Sequence, residues 1–173
     1  MNCVEPSLFV QYLMIMPNLA IFGAFFSGLL TRDYAYLYLG IGTLILGPVL
    51  NFVFKKIFKS LGSISLFERP NPPPYGCSNL LAVCGNKYTG FGMPSGHAQT
   101  MGVFATFLSL YVNQNPDYNS KHKILIISIV WIWTFLVCWS RIHIGCHNLL
   151  QVGTGLILGI GLGYGLFRIY KKE

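Results

Sequence analysis

Five long apolar runs, at residues 8–30, 34–58, 98–112, 124–142 and 149–170, constrain this chain more than any other feature. Most approach or exceed the ~20 residues that cross ~30 Å of hydrocarbon at ~1.5 Å per residue. The run at 98–112 is the shortest, so its helix is expected to begin inside the motif that precedes it. Composition agrees, with 53% of residues hydrophobic and only 10% charged, against roughly 25% charged in soluble domains. The expectation is an all-α, multi-pass transmembrane bundle of about five spans, a single membrane-embedded domain over residues 1–173. No internal repeat or second soluble domain is evident.

A net charge of +7 would suggest nucleic acid in a soluble protein. Here Lys55, Lys56, Lys59, Lys121, Lys123, Arg168, Lys171 and Lys172 flank the apolar runs, which points to anchoring at a membrane surface. Tyr34, Tyr36, Tyr38 and Trp139 fit interfacial belts rather than a stacking platform. The N-terminus has no basic flank, and its apolar run exceeds a signal-peptide core of ~7–15 residues, so no cleavable signal is expected. Pro17 and Asn18 interrupt this run and predict a kink. Gly155, Gly159 and Gly163 are spaced four apart in the last run, a pattern for close helix packing rather than a nucleotide loop. The five cysteines form no zinc pattern. Cys77 and Cys84 share the long loop and could form a disulfide if it faces an oxidising lumen; Cys3, Cys138 and Cys146 read as small membrane or interface residues.

Connectivity places the polar motifs. With alternating spans, the N-terminus, the loop 60–91 and the turn around Gly145 share one side, here called face A. The third span leaves face A just after His97, the fourth returns there at Arg141, and the fifth departs after His147. Arg69, His97, Arg141 and His147 therefore converge. Two arginines offer planar, permanently charged forks for phosphate oxygens. Ser95, Gly96 and His97 stand at a helix start, where backbone N–H groups attract anions. Histidine titrates near neutrality, so one ring can attack phosphorus while another protonates the leaving oxygen. The set points to phosphoryl transfer through a phosphohistidine. The acidic residues Glu5, Asp33, Glu68, Asp117 and Glu173 are too scattered to hold magnesium, so no metal or other cofactor is expected.

Arg69-Pro70, Pro94-Ser95-Gly96-His97, and Ser140-Arg141 followed by His147 resemble the motifs of the type 2 phosphatidic acid phosphatase superfamily. The resemblance runs over about residues 50–155. Members of that superfamily remove phosphate from lipid phosphates and diphosphates in membranes. The resemblance implies that His147 is the nucleophile and His97 the general acid. It also implies that Arg69, Arg141, Ser95 and Gly96 hold the phosphate. The family aspartate that orients the nucleophile falls at Gln151, which accepts a hydrogen bond but supplies no charge. The dolichyl-diphosphatase branch also carries Gln there, and Lys87-Tyr88, Gly92-Met93-Pro94-Ser95, Gln99 and Met101 resemble that branch. The family lysine would fall at Gly62. Lys55 and Lys59 are the candidates, and the run Leu50-Asn51-Phe52-Val53-Phe54-Lys55 favours Lys55. On one straight helix Lys55 and Arg69 would stand ~21 Å apart, and Lys59 and Arg69 ~15 Å, so the chain must turn between them, with Gly62 supplying the turn.

The expected substrate is a lipid-linked diphosphate such as dolichyl or polyprenyl diphosphate, its tail in the bilayer and its head at face A. Three other readings stay open: a phosphatase for phosphatidic acid or another monophosphate, a lipid-phosphate-binding protein without turnover, and a haem or metal protein ligated by His97, His143 and His147. Outside that last reading, His143 is a neighbour rather than a participant. Glu68 either orients a histidine or faces solvent or an arginine. The stretch 70–74, rich in proline, either shapes the site mouth or is a spacer. Basic residues outside the site favour a cytoplasmic C-terminus. Face A is then lumenal or external, with the endoplasmic reticulum a fitting compartment.

Overall fold

Ser7, Asp33, Asn119 and Asn148 each accept a hydrogen bond from a backbone N–H at the start of a helix, and these caps set where the long helices begin. The computed structural model describes residues 6–60, 62, 67–70, 77 and 91–172. Cys3, Cys84, Lys87, Tyr88 and residues 71–74 lie outside them. The described chain is helical: α1 (Leu8–Thr31), α2 (Tyr34–Leu44), a π turn (Ile45–Val49), α3 (Leu50–Ser60), α4 (Gly96–Gln114), α5 (Ser120–His143) and α6 (Leu149–Tyr170).

Among the described residues, four segments are long and apolar enough to cross a membrane: Leu8–Thr31, Tyr34–Ser60, Ser120–His143 and Leu149–Tyr170. The second joins α2, the π turn and α3. The short run at 98–112 becomes α4, which starts at Gly96 inside the preceding motif. It is a 19-residue helix buried along its first three turns, with Gln99, Thr100 and Thr106 among the buried residues. It is the central helix around which the others pack, and the polar residues it buries explain why its apolarity is lower. α1 continues through Pro17 from Leu8 to Thr31. Leu19, Phe22, Phe26, Ile129, Ile132 and Phe135 face outward, as side chains do when lipid tails are the solvent.

The glycine stripe of α6 lies on α4. A Cβ at Gly155 would stand 2.5 Å from the Ser95 carbonyl oxygen, one at Gly163 2.6 Å from that of Val103, and one at Gly159 would collide with that of Gln99. The spacing of four thus lets two backbones approach closely, as the pattern predicts. Tyr36 and Tyr38 pack with Tyr111 and Tyr170 at the far end, while Tyr34 and Trp139 are exposed.

The turn expected between Lys55 and Arg69 is present. α3 ends at Ser60, and Gly62 adopts φ 120°, a conformation that favours glycine. The Phe58, Phe67 and Phe91 rings then stack edge to face at 5.7 and 5.8 Å. Glu68 pairs with Phe91 in a single antiparallel bridge, and the Gly92 N–H donates to the Phe67 carbonyl at 2.7 Å. The two ends of the long loop are thereby clipped together.

Candidate active site

The starts of α1, α4 and α6, the ends of α3 and α5, and the clipped loop meet at face A. The helix start at α4 differs from the others. Its N-cap Ser95 makes no side-chain cap, and the buried Ser95 hydroxyl has no hydrogen-bond partner. The Ser95 N–H is engaged by the Gln151 carbonyl at 3.0 Å, so the hydroxyl rather than that amide is what Ser95 offers a ligand.

His147 sits in the turn between α5 and α6, 4% exposed. Its Nδ1 lies 3.0 Å from Gln151 Oε1 and its Nε2 3.3 Å from Arg69 Nη1. Gln151 Nε2 donates to the Glu68 carbonyl at 2.8 Å, which fixes the amide with its oxygen towards the ring. Nδ1 must then carry the proton, leaving the Nε2 lone pair facing Arg69, an obligatory donor. This is the tautomer a nucleophilic Nε2 requires. Burial holds the His147 pKa well below the usual imidazole range, and the cations Arg69, Lys55 and Arg141 push it the same way, against the opposing Gln151 hydrogen bond. The ring is therefore neutral at neutral pH.

Gln151 thus has a use that an aspartate lacks. A carboxylate has no donor for the Glu68 carbonyl and would set oxygen against oxygen. Gly92 leaves room for this arrangement, since a Cβ there would fall on the Gln151 carboxamide. The Glu68 side chain is exposed, and only its backbone serves the site.

Arg141 is fully buried; its Nε donates to the Ser140 hydroxyl at 3.2 Å, and its Nη1 lies 3.2 Å from His97 Nε2. The same Nε2 stands 3.1 Å from the Met14 carbonyl of α1. A neutral ring nitrogen either donates to Met14 or accepts from Arg141, so the position of one proton decides which contact forms. Arg69 Nη1 also donates to the Cys146 carbonyl at 3.0 Å.

His97, Arg141, Arg69, His147 and Gln151 are thus brought into one network, with Ser95 and Gly96 beside it. Lys55 is close enough to act on the His147 charge, whereas Lys59 is exposed in the last turn of α3. His143 stacks on Trp139 at 4.6 Å and is exposed. Among the described residues no three His, Cys, Asp or Glu side chains converge as a metal site, so the set His97, His143 and His147 is not assembled.

The cysteine expectation needs correcting. Cys77 is bonded to Cys146, not to Cys84. The α5–α6 turn brings Cys146 to face A, within reach of Cys77. Cys138 remains a free, buried thiol. The contacts that sequence reasoning missed are mostly backbone carbonyls, at Met14, Glu68 and Cys146, which leave no mark on residue identity. Only the disulfide had a signal, two cysteines on the same face.

Paired histidines and arginines around a helix start, at one end of a transmembrane helical bundle, define a class of membrane phosphoryl-transfer site. The PAP2 superfamily model matches residues 35–173, and the chain belongs to that superfamily. It is 30% identical to the dolichyldiphosphatase of Saccharomyces cerevisiae over 65% of this chain and 44% of that protein. It is 29% identical to dolichyldiphosphatase 1 of Dictyostelium discoideum over 91% of this chain and 62% of the relative. With the human dolichyldiphosphatase 1 the identity is 31%, over 72% and 58%. The chain thus spans about half the length of these curated relatives. Its fold resembles the crystal structure of a transmembrane PAP2 type phosphatidylglycerolphosphate phosphatase from Bacillus subtilis, with a TM-score of 0.64 at 18% identity, covering 96% of this chain and 79% of that one.

Proposed function

We propose that this protein hydrolyses a lipid-linked diphosphate, of the dolichyl or polyprenyl kind, through a phosphohistidine and without a metal. The supporting observation is the His147 tautomer: Gln151, itself oriented by the Glu68 carbonyl, holds Nδ1–H and leaves Nε2 as the nucleophile. Similarity to dolichyldiphosphatases supports the substrate class. Arg69, Arg141, Ser95, Gly96 and Lys55 bind the terminal phosphoryl group. His147 Nε2 attacks phosphorus, and the His97 proton goes to the leaving oxygen. Water, deprotonated by His97, then hydrolyses the phosphohistidine and releases inorganic phosphate. Three cations, Arg69, Arg141 and Lys55, supply the charge stabilisation that a metal gives elsewhere. The Cys77–Cys146 bridge at face A supports a site on the lumenal or external side, with the endoplasmic reticulum as a fitting compartment.

The test is phosphate release by purified protein in detergent, comparing dolichyl diphosphate, phosphatidic acid and phosphatidylglycerophosphate. Release from dolichyl diphosphate that resists EDTA, is inhibited by vanadate and disappears in His147→Ala is expected. Preference for a monophosphate overturns the substrate and keeps the mechanism. Release abolished by EDTA and restored by magnesium overturns the mechanism.

A further inference from the structure

α3 buries one side chain, and it is polar. Asn51 is 5% exposed, in a helix whose neighbouring Phe52 and Val53 face outward. A buried carboxamide costs free energy unless its hydrogen bonds are made, so an apolar residue would be the default for packing. The Asn51 bonds are directed. Its Nδ2 donates to the Pro94 carbonyl at 3.3 Å and to Gln99 Oε1 at 2.9 Å. Gln99, fully buried on α4, donates from Nε2 to the carbonyls of Leu46 at 2.6 Å and Gly47 at 3.4 Å, both in the π turn. The result is a strap from the π turn through two carboxamides to Pro94, the residue before the Ser95–Gly96 helix start.

The strap fits closely. A Cβ added at Gly96 would stand 3.1 Å from Asn51 Oδ1, so the carboxamide rests against the Gly96 backbone. Asn51 also lies one helical turn before Lys55, on the same side of α3. We infer that Asn51 is a positioning residue, fixing the Pro94–Ser95–Gly96 turn and the Lys55 helix in one frame so that both meet the same phosphoryl group. This rests on the phosphatase reading above.

The experiment uses the full chain in detergent and measures orthovanadate affinity by calorimetry alongside kcat and KM for dolichyl diphosphate. Asn51→Ala is expected to raise the vanadate dissociation constant about tenfold, as when one hydrogen bond to a buried group is lost. kcat should fall with little change in KM, because the strap positions groups that hold the transferring phosphoryl group. Asn51→Asp keeps the size, removes both donors and is expected to do the same, which covers failure of the alanine variant to fold. Gln99→Glu, at the far end of the strap, should weaken vanadate in the same direction, and the double variant should be less than additive. A purely structural role would lower the melting temperature and the yield while leaving the vanadate constant of the folded fraction unchanged, and that result overturns the inference. Vanadate binding without turnover in the unaltered protein would sink the catalytic proposal alone, Asn51 still being judged by affinity. Neither binding nor turnover in the unaltered protein would overturn both.

Discussion

At the scale of single residues, the pairing of Gln151 with His147 and the Glu68 carbonyl makes a sharp prediction. Gln151→Asp restores a charged partner but shortens the side chain and removes the donor to Glu68. It is expected to lower kcat about tenfold or more, the cost of a buried polar group left without its hydrogen bond; an equal or faster rate would show that the amide orientation is immaterial. A second prediction concerns pH. His147 is kept neutral by burial and by Arg69, Lys55 and Arg141, so its protonation sets an acid limb well below the usual imidazole range. Removing one cation favours the charged ring, so Arg69→Ala should move the acid limb of the kcat/KM profile to higher pH, measured on the residual activity. An unmoved limb would mean that the limb belongs to another group. His97, Arg141, Arg69, His147 and Gln151 were legible because each is a chemically distinctive residue at a span end. Met14, Glu68 and Cys146 act through carbonyls that every residue possesses, so their places were not.

Among the elements, the joined helix from Tyr34 to Ser60 is the most instructive. Sequence shows one apolar run; the structure shows a π turn at Ile45–Val49, around Pro48, whose missing N–H loosens the α-helical ladder. The Leu50 N–H bonds the Ile45 carbonyl five residues back. Such a turn takes up one residue more than an α turn, rotating everything after it by about 100°. That rotation gives Asn51 and Lys55 their direction. Deleting Val49, an exposed residue, should therefore abolish phosphate release while the protein still inserts and stays monodisperse in detergent; retained activity would show that α3 needs no particular phase. Apolar runs report that a helix exists, whereas its phase depends on one backbone bond that residue periodicity hides. The α6 glycines were readable for the opposite reason, because close approach admits no side chain at all.

For the molecule as a whole, the Cys77–Cys146 bridge ties the loop that carries Arg69 to the turn that carries His147, across 69 residues of chain. Cys77→Ser is expected to destabilise the fold by about 2–4 kcal/mol, seen as a lower melting temperature, and to reduce turnover by loosening Arg69 from the Cys146 carbonyl. Unchanged stability and rate would remove the bridge from any account of the site. Convergence at face A was predictable from alternating spans; which cysteine meets which was not, because partnership depends on loop paths that spans leave open. The bridge encloses α4 and α5, and the exposed turn between them, around Pro116 and Asp117, is at the opposite end of these helices, which alternating spans assign to the other side of the bilayer. A protease offered only to that side and cutting there would produce two fragments that still migrate as one under non-reducing electrophoresis and separate on reduction. One gel thus reads out the sidedness of the chain and its covalent topology together.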